Sequence, residues 1–217
     1  MTTNDRQRLR ELAHKQLEYA HSPRNEQIMQ QWQALADGRR ENPTVRLLYS
    51  NFTDEVITPR LKCETEEARS LEWQLLCTLV GRELFDDDTP IPSEHMMART
   101  ARVRPFGISH TISRTDGGRS KGFHIDPVIE DLEDELDKLR GGHFQVDQAD
   151  TKRRVDFATE AIGDILPVKL VQSSLTGAIT NPLVHLMGME NYYLAMYDTS
   201  EALHEVMDMA TRVYEAY

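Results

Sequence analysis

Two histidine-bearing stretches and one small-residue loop hold most of the side chains able to do chemistry. GFHID places His124 and Asp126 two positions apart. On a strand that spacing puts both on one face, where the carboxylate could orient the imidazole as a base or share a metal ion with it. Asp126 followed by Pro127 also reads as a helix cap with a first-turn proline, which accounts for that aspartate without a ligand. His110 lies across a hairpin expected over 110–125, so a His110–His124 site is a further arrangement. In LVQSSLTGAITNPLVHLMGMENYYLAMYD (170–198) a loop of Ser, Thr, Gly and Asn meets a run that is apolar on more than one side. His185, early in that run, is either a partly buried packing residue or an imidazole aimed into a site. The loop RTDGGRSKG could hold an anion, but it fits no phosphate-loop pattern and reads as a hairpin tip. Cys63 in LKCET and Cys77 in LLCTL read as reduced structural thiols, Cys77 standing at a helical core spacing.

The elements that must position these residues are legible in outline. Leu9, Leu12, Ala13, Leu17 and Ala20 predict one helix, and Ser22-Pro23 opens a second that stops at Gly38. VRLLYS (45–50) predicts a first strand. Ala68, Leu71, Leu75, Leu76 and Leu79 predict a helix ending near Gly81, and a strand is allowed between Pro90 and Pro105. Asp116-Gly117 suits the tight turn of the hairpin. PVIEDLEDELDKLR predicts an amphipathic helix with a solvated acidic face. Asp150 is expected to cap the next helix, PVKLVQ (167–172) to form a strand, and Asp198 with Glu201 to cap a last helix. Helices alternating with isolated short strands imply an α/β fold with parallel strands.

Bulk properties exclude several functions. The 217 residues suffice for one or two domains, and 39% apolar with 28% charged residues is ordinary for a globular protein. No run is apolar enough to cross a bilayer, and MTTNDRQRLRELAHKQ is too polar for a secretory signal, so no membrane partner is expected. Two cysteines fit a reducing, cytoplasmic setting. A net charge of −11 argues against non-specific nucleic-acid binding.

VKLVQSSLTGAITNPLVHLMGMENYYLAMYDTSEALHEVMDMATRVYEAY resembles the uroporphyrinogen decarboxylase family: a strand, a small-residue loop with Gly177, a helix reaching Gly188 to Glu190, then Asp198 to Glu201 and Leu203-His204. FTDEVITPRLKCETEEARSLEWQLL and IEDLEDELDKLR look like a longer branch of the same superfamily. The resemblance implies an α/β, partial (β/α)8 TIM-type barrel (41–217) with a helical N-terminal extension (1–40), of which this chain would supply the first half. The missing C-terminal half, or a homo-oligomer partner, would complete the wall; a non-catalytic binding or assembly half-barrel is the reading of another class.

In such a barrel, sites lie where strands end. Asn51 and Phe52 after the first strand, and Ser173, Ser174 and Thr176 after the 167–172 strand, are therefore candidates for substrate binding, although Ser and Thr also serve simply to satisfy loop backbone. The decarboxylating members use an Arg-x-x-x-Arg segment after the first strand; here that place reads YSNFTDEV, without arginine. They also use an aspartate in Phe-Ser-Asp, for which LFDDDTPIP offers Phe85 and Asp87, unless Asp86 to Asp88 form a solvated loop. The family's tyrosine on the helix after the third strand corresponds most nearly to Val184 or His185. Asp87, His124 and His185 are thus the catalytic candidates. The missing arginines favour corrinoid-linked methyl transfer, with cobalamin carried by a partner protein, over tetrapyrrole decarboxylation. No His-x-Cys occurs, so zinc enters only if the missing C-terminal half supplies ligands.

Overall fold

Residues 1–39, 43–48, 52–114, 123–172 and 179–217 are described by a computed structural model. Among them the chain is an α/β protein of seven α-helices and six short strands, with no closed barrel. It divides into two compact units, residues 1–98 with 149–171, and residues 99–148 with 172–217.

The first unit begins with α1 (Thr3–Ala20), whose Thr2 and Asp5 complete a reciprocal capping box, and α2 (Pro23–Ala36), capped by Ser22. A short turn α3 (Thr53–Val56) precedes α4 (Glu66–Val80). Leu9, Leu12 and Ala13 of α1 pack against Leu71, Leu75 and Leu79 of α4, so the helical segment expected as an extension shares this unit's core. Strands β1 (His95–Ala98) and β6 (Val168–Val171) pair in parallel, His95 opposite Val168. Helix α5 (Gln148–Ile162) leads into β6 and buries Ala158, Ala161 and Ile162 in the same core.

The strand expected at 45–50 is not formed over its described residues. The amides that a ladder would use are taken by side chains: Val45 N donates to Asp88 Oδ2 at 2.9 Å and Leu47 N to Asp87 Oδ2 at 3.0 Å. Past α4 the backbone widens into a π-turn, Gly81–Phe85, and ends at Asp86 in the left-handed region with φ 46°. Asp86 to Asp88 are therefore no uniform solvated loop, because Asp87 is buried and Asp88 is mostly covered.

In the second unit β2 (Ala101–Arg104) pairs with β5 (His143–Val146), and β3 (Thr111–Ser113) with β4 (His124–Asp126), both antiparallel. Among the described residues the parallel pairing expected from the helix–strand alternation is found in β1 and β6, and the antiparallel β3–β4 pair is the expected hairpin. The antiparallel β2–β5 pair is not among the expected ones. The hairpin strands are where the sequence puts them; the Asp116-Gly117 tip lies outside the described residues.

The amphipathic helix expected over 127–140 is replaced by turns and a 3₁₀ segment, Leu136–Leu139. Its apolar residues still reach the core, with Ile129, Leu132 and Leu139 buried. Local carboxylates divert the backbone: Asp131 Oδ1 accepts from Glu133 N and Asp134 N, and Glu135 Oε2 accepts from Glu130 N at 2.7 Å. Such side-chain bonds compete with the helical ladder.

Helices α6 (Thr180–Asp198) and α7 (Ser200–Ala216) complete the unit. Asp198 is still inside α6, so the expected Asp198–Glu201 cap does not form. Asp150 likewise sits in the first turn of α5 rather than at its cap, where it pairs with Arg153 at 2.7 Å.

Candidate functional site

Helix α6 breaks at Gly188, whose φ of 80° and ψ of 159° suit glycine alone. The break frees the Leu186 carbonyl from the helical ladder, and it accepts from Val128 N at 2.7 Å and Ile129 N at 3.0 Å. This double bond clamps the chain leaving β4 onto α6. Three residues before the break, the His185 ring meets His110 edge to face, with centroids 4.9 Å apart and planes at 67°. Both rings are partly buried. On β4, His124 Nε2 lies 3.6 Å from Asp126 Oδ1, with the histidine three-quarters exposed. The second unit therefore gathers an imidazole pair at one end of its β3–β4 ribbon and an exposed His–Asp couple on the ribbon itself.

The sequence-derived candidates fare differently. His185 finds a partner, but it is His110; the His110–His124 pairing is replaced, since Ser113 is the register partner of His124 and His110 lies beyond the paired residues. The carboxylate of Asp126 faces His124 rather than capping a helix, because no helix follows. Asp87, in the first unit, is occupied: Oδ2 accepts from Leu47 N and from Thr89 Oγ1 at 2.9 Å, and Oδ1 from Thr89 N at 3.1 Å. Phe52 is exposed at the start of α3. Asn51, Ser173, Ser174 and Thr176 lie outside the described residues.

Neither cysteine is set up as a thiolate. Burial, with Glu72 and Asp5 nearby, pushes Cys63 up to about 12, and burial pushes Cys77 up to about 11. Among the described residues no three His, Cys, Asp or Glu side chains gather to hold a metal ion, and no helix is long and apolar enough to cross a membrane.

One titratable residue has no counterpart among the expected site residues. His95 opens β1 and is buried, with Nε2 lacking any hydrogen-bond partner. The alternation in HMMA carries the signal, because it sets His95 on the inward face shared with Met97.

Replacing Gly188 by alanine should cost about 1–3 kcal/mol, the usual expense of a side chain at such backbone angles. It should also loosen the clamp. The check is proton NMR of the histidine rings, where the nuclear Overhauser contact between His110 and His185 should weaken. Unchanged stability and an unchanged contact would refute the clamp. No protein-family model, curated protein or solved structure matches the chain.

Proposed function

We propose that the chain forms part of a uroporphyrinogen-decarboxylase-like βα barrel and works in corrinoid-linked methyl transfer, with His185 as the proton acceptor and His110 as its positioning partner. The observation that carries this reading is the His110–His185 contact, made on α6, the next helix in the chain after β6. The parallel β1–β6 pair, with α4 and α5 preceding its two strands, supports the barrel. Further polypeptide or a second copy would supply the remaining wall.

A corrinoid, when bound, supplies a methyl group that leaves without the electrons of its cobalt–carbon bond. The acceptor, a thiol or hydroxyl, must lose its proton as it attacks. Imidazole suits that step, since its unperturbed pKa lies nearest neutrality among side chains. In the T-shaped contact His110 restricts the rotation of the His185 ring, so a ring nitrogen is held ready for the acceptor's proton. Zinc activation of the thiol finds no three-ligand set among the described residues.

The absent arginines in YSNFTDEV weigh against tetrapyrrole decarboxylation, because a substrate rich in carboxylates calls for fixed guanidinium forks. The test is methyl transfer from methylcobalamin to 2-mercaptoethanol, followed by the absorbance of the demethylated corrinoid. The expected rate exceeds that with free histidine and falls at least tenfold in His185→Ala. Decarboxylation of uroporphyrinogen with no demethylation would overturn the reading in favour of the decarboxylase. Inactivity in both assays would favour a non-catalytic binding or assembly module.

A further inference from the structure

The first unit holds a cleft of about 510 Å³ between α1 and the turn at Pro59–Lys62, within the size range of small-ligand sites. Its floor is apolar, with Leu12 and Leu76 both buried in the core beneath it. Its wall gathers cations in a chain whose net charge is −11. Arg8 is neutralised by Glu72 at 2.8 Å. The carboxylate of Glu83, mostly buried, is shared by the Lys15 ammonium and by Arg60 Nη1, the latter at 3.0 Å. Glu11 accepts from Gln7 and is exposed. Lys62 makes no ion pair among the described residues, and Arg60 uses one of its five N–H donors on Glu83. Lys15 and Arg60 together exceed Glu83 by one charge, and Lys62 adds a second. Glu11, on the same wall, offsets one, so a single net positive charge and most of a guanidinium fork are left over above an apolar floor.

The backbone beneath these groups is fixed. Lys62 N donates to Glu72 Oε2 at 2.8 Å, and the Arg60 carbonyl accepts from Arg8 Nη2 at 3.4 Å. Preorganised donors bind with less ordering cost than mobile ones.

The structure assigns this cleft as a binding site for a small organic monocarboxylate, its charge held between Lys62 and the free edge of Arg60 and its apolar body lying over Leu12 and Leu76. A single carboxylate matches the single surplus charge, and the guanidinium edge matches its two oxygens. The site is independent of the methyl-transfer reading, since every residue in it belongs to the first unit.

The test uses benzoate as the probe, at constant ionic strength so that screening does not vary. In amide proton–nitrogen NMR, benzoate should shift the signals of residues 60–62 saturably in the millimolar range. Benzamide, of the same shape without the charge, should bind at least tenfold more weakly. Lys62→Gln, at an exposed position that leaves the core intact, should weaken benzoate at least fivefold, and Arg60→Gln likewise. Non-saturable shifts, equal binding of benzamide, or unchanged affinity in both variants would overturn the assignment.

Discussion

Glu72→Ala should lower the stability of the first unit by about 3–5 kcal/mol, the cost of breaking a buried ion pair from one side. Glu72 is completely buried on α4. Its Oε1 accepts from Arg8 Nε at 2.8 Å, and its Oε2 accepts from Lys62 N and Cys63 N, each at 2.8 Å. Burial alone would raise its pKa, yet Arg8 and the two amides outweigh burial and hold it below the ordinary glutamate range. Alanine strands all three donors, and the two unsatisfied amides, at about 1–3 kcal/mol each, make up much of that loss. Glu72→Gln keeps the acceptor for the amides but sets an NH2 against Arg8 or the amides, so a smaller loss is expected. Both tryptophans, Trp32 and Trp73, lie in this unit, so their fluorescence in a urea titration reports its unfolding alone. A loss under about 1 kcal/mol would show that Arg8 and the 62–63 turn find other partners.

Networks of this kind separate the legible part of the fold from the rest. Helices α1, α2, α4 and α5 follow from apolar residues at three- and four-residue steps, since their cores are built on that spacing. Strand β6 is equally plain. The departures lie where side-chain carboxylates supply the hydrogen bonds. VRLL reads as a strand by composition, but Asp87 and Asp88, some forty positions away, take its amides. PVIEDLEDELDKLR has the right apolar spacing and the right buried residues, while Asp131 and Glu135 turn its backbone away from the helix. No periodicity rule carries information about such partners.

The candidate site shows the same division. His185 and His124 stand out by type and neighbourhood, and both lie in the second unit. The partner of His185 is not legible in the sequence, because His110 lies far away in the chain and no spacing pairs the two. The role of Gly188 in the clamp emerges only from its backbone angles. Asp87, a candidate only through the resemblance, spends its oxygens on Leu47 N and Thr89.

Between pH 7 and pH 4 the first unit should lose about 3 kcal/mol of stability, through His95. Burial, assisted by the positive charge of Arg154, holds this imidazole down at about 4, against 6.5 for an exposed one. The unfolded chain therefore takes up a proton through the window from 6.5 to 4 that the folded chain refuses. The stabilisation is complete above 6.5 and drains away as the pH falls, by about 1.4 kcal/mol for each step of one in pH across that window. Asp5 acts lower on the scale. Burial would raise it, but hydrogen bonds from Glu64 N, Thr65 and Thr2 bring it down from 3.8 to about 2. Its contribution, about 2 kcal/mol, is present above 3.8 and lost as the pH drops toward 2. Tryptophan-detected urea midpoints across this range should thus fall in two stages. His95→Leu should flatten the upper stage and leave the lower one, because leucine has no proton to accept and fills an inward-facing strand position with apolar surface. Asp5→Asn should shrink the lower stage, to which the depressed Glu72 carboxylate also contributes, and leave the upper one. A single steep loss near pH 4 in the parent, unaltered by His95→Leu, would mean that the imidazole is reached by water and that its unpaired Nε2 is not out of solvent.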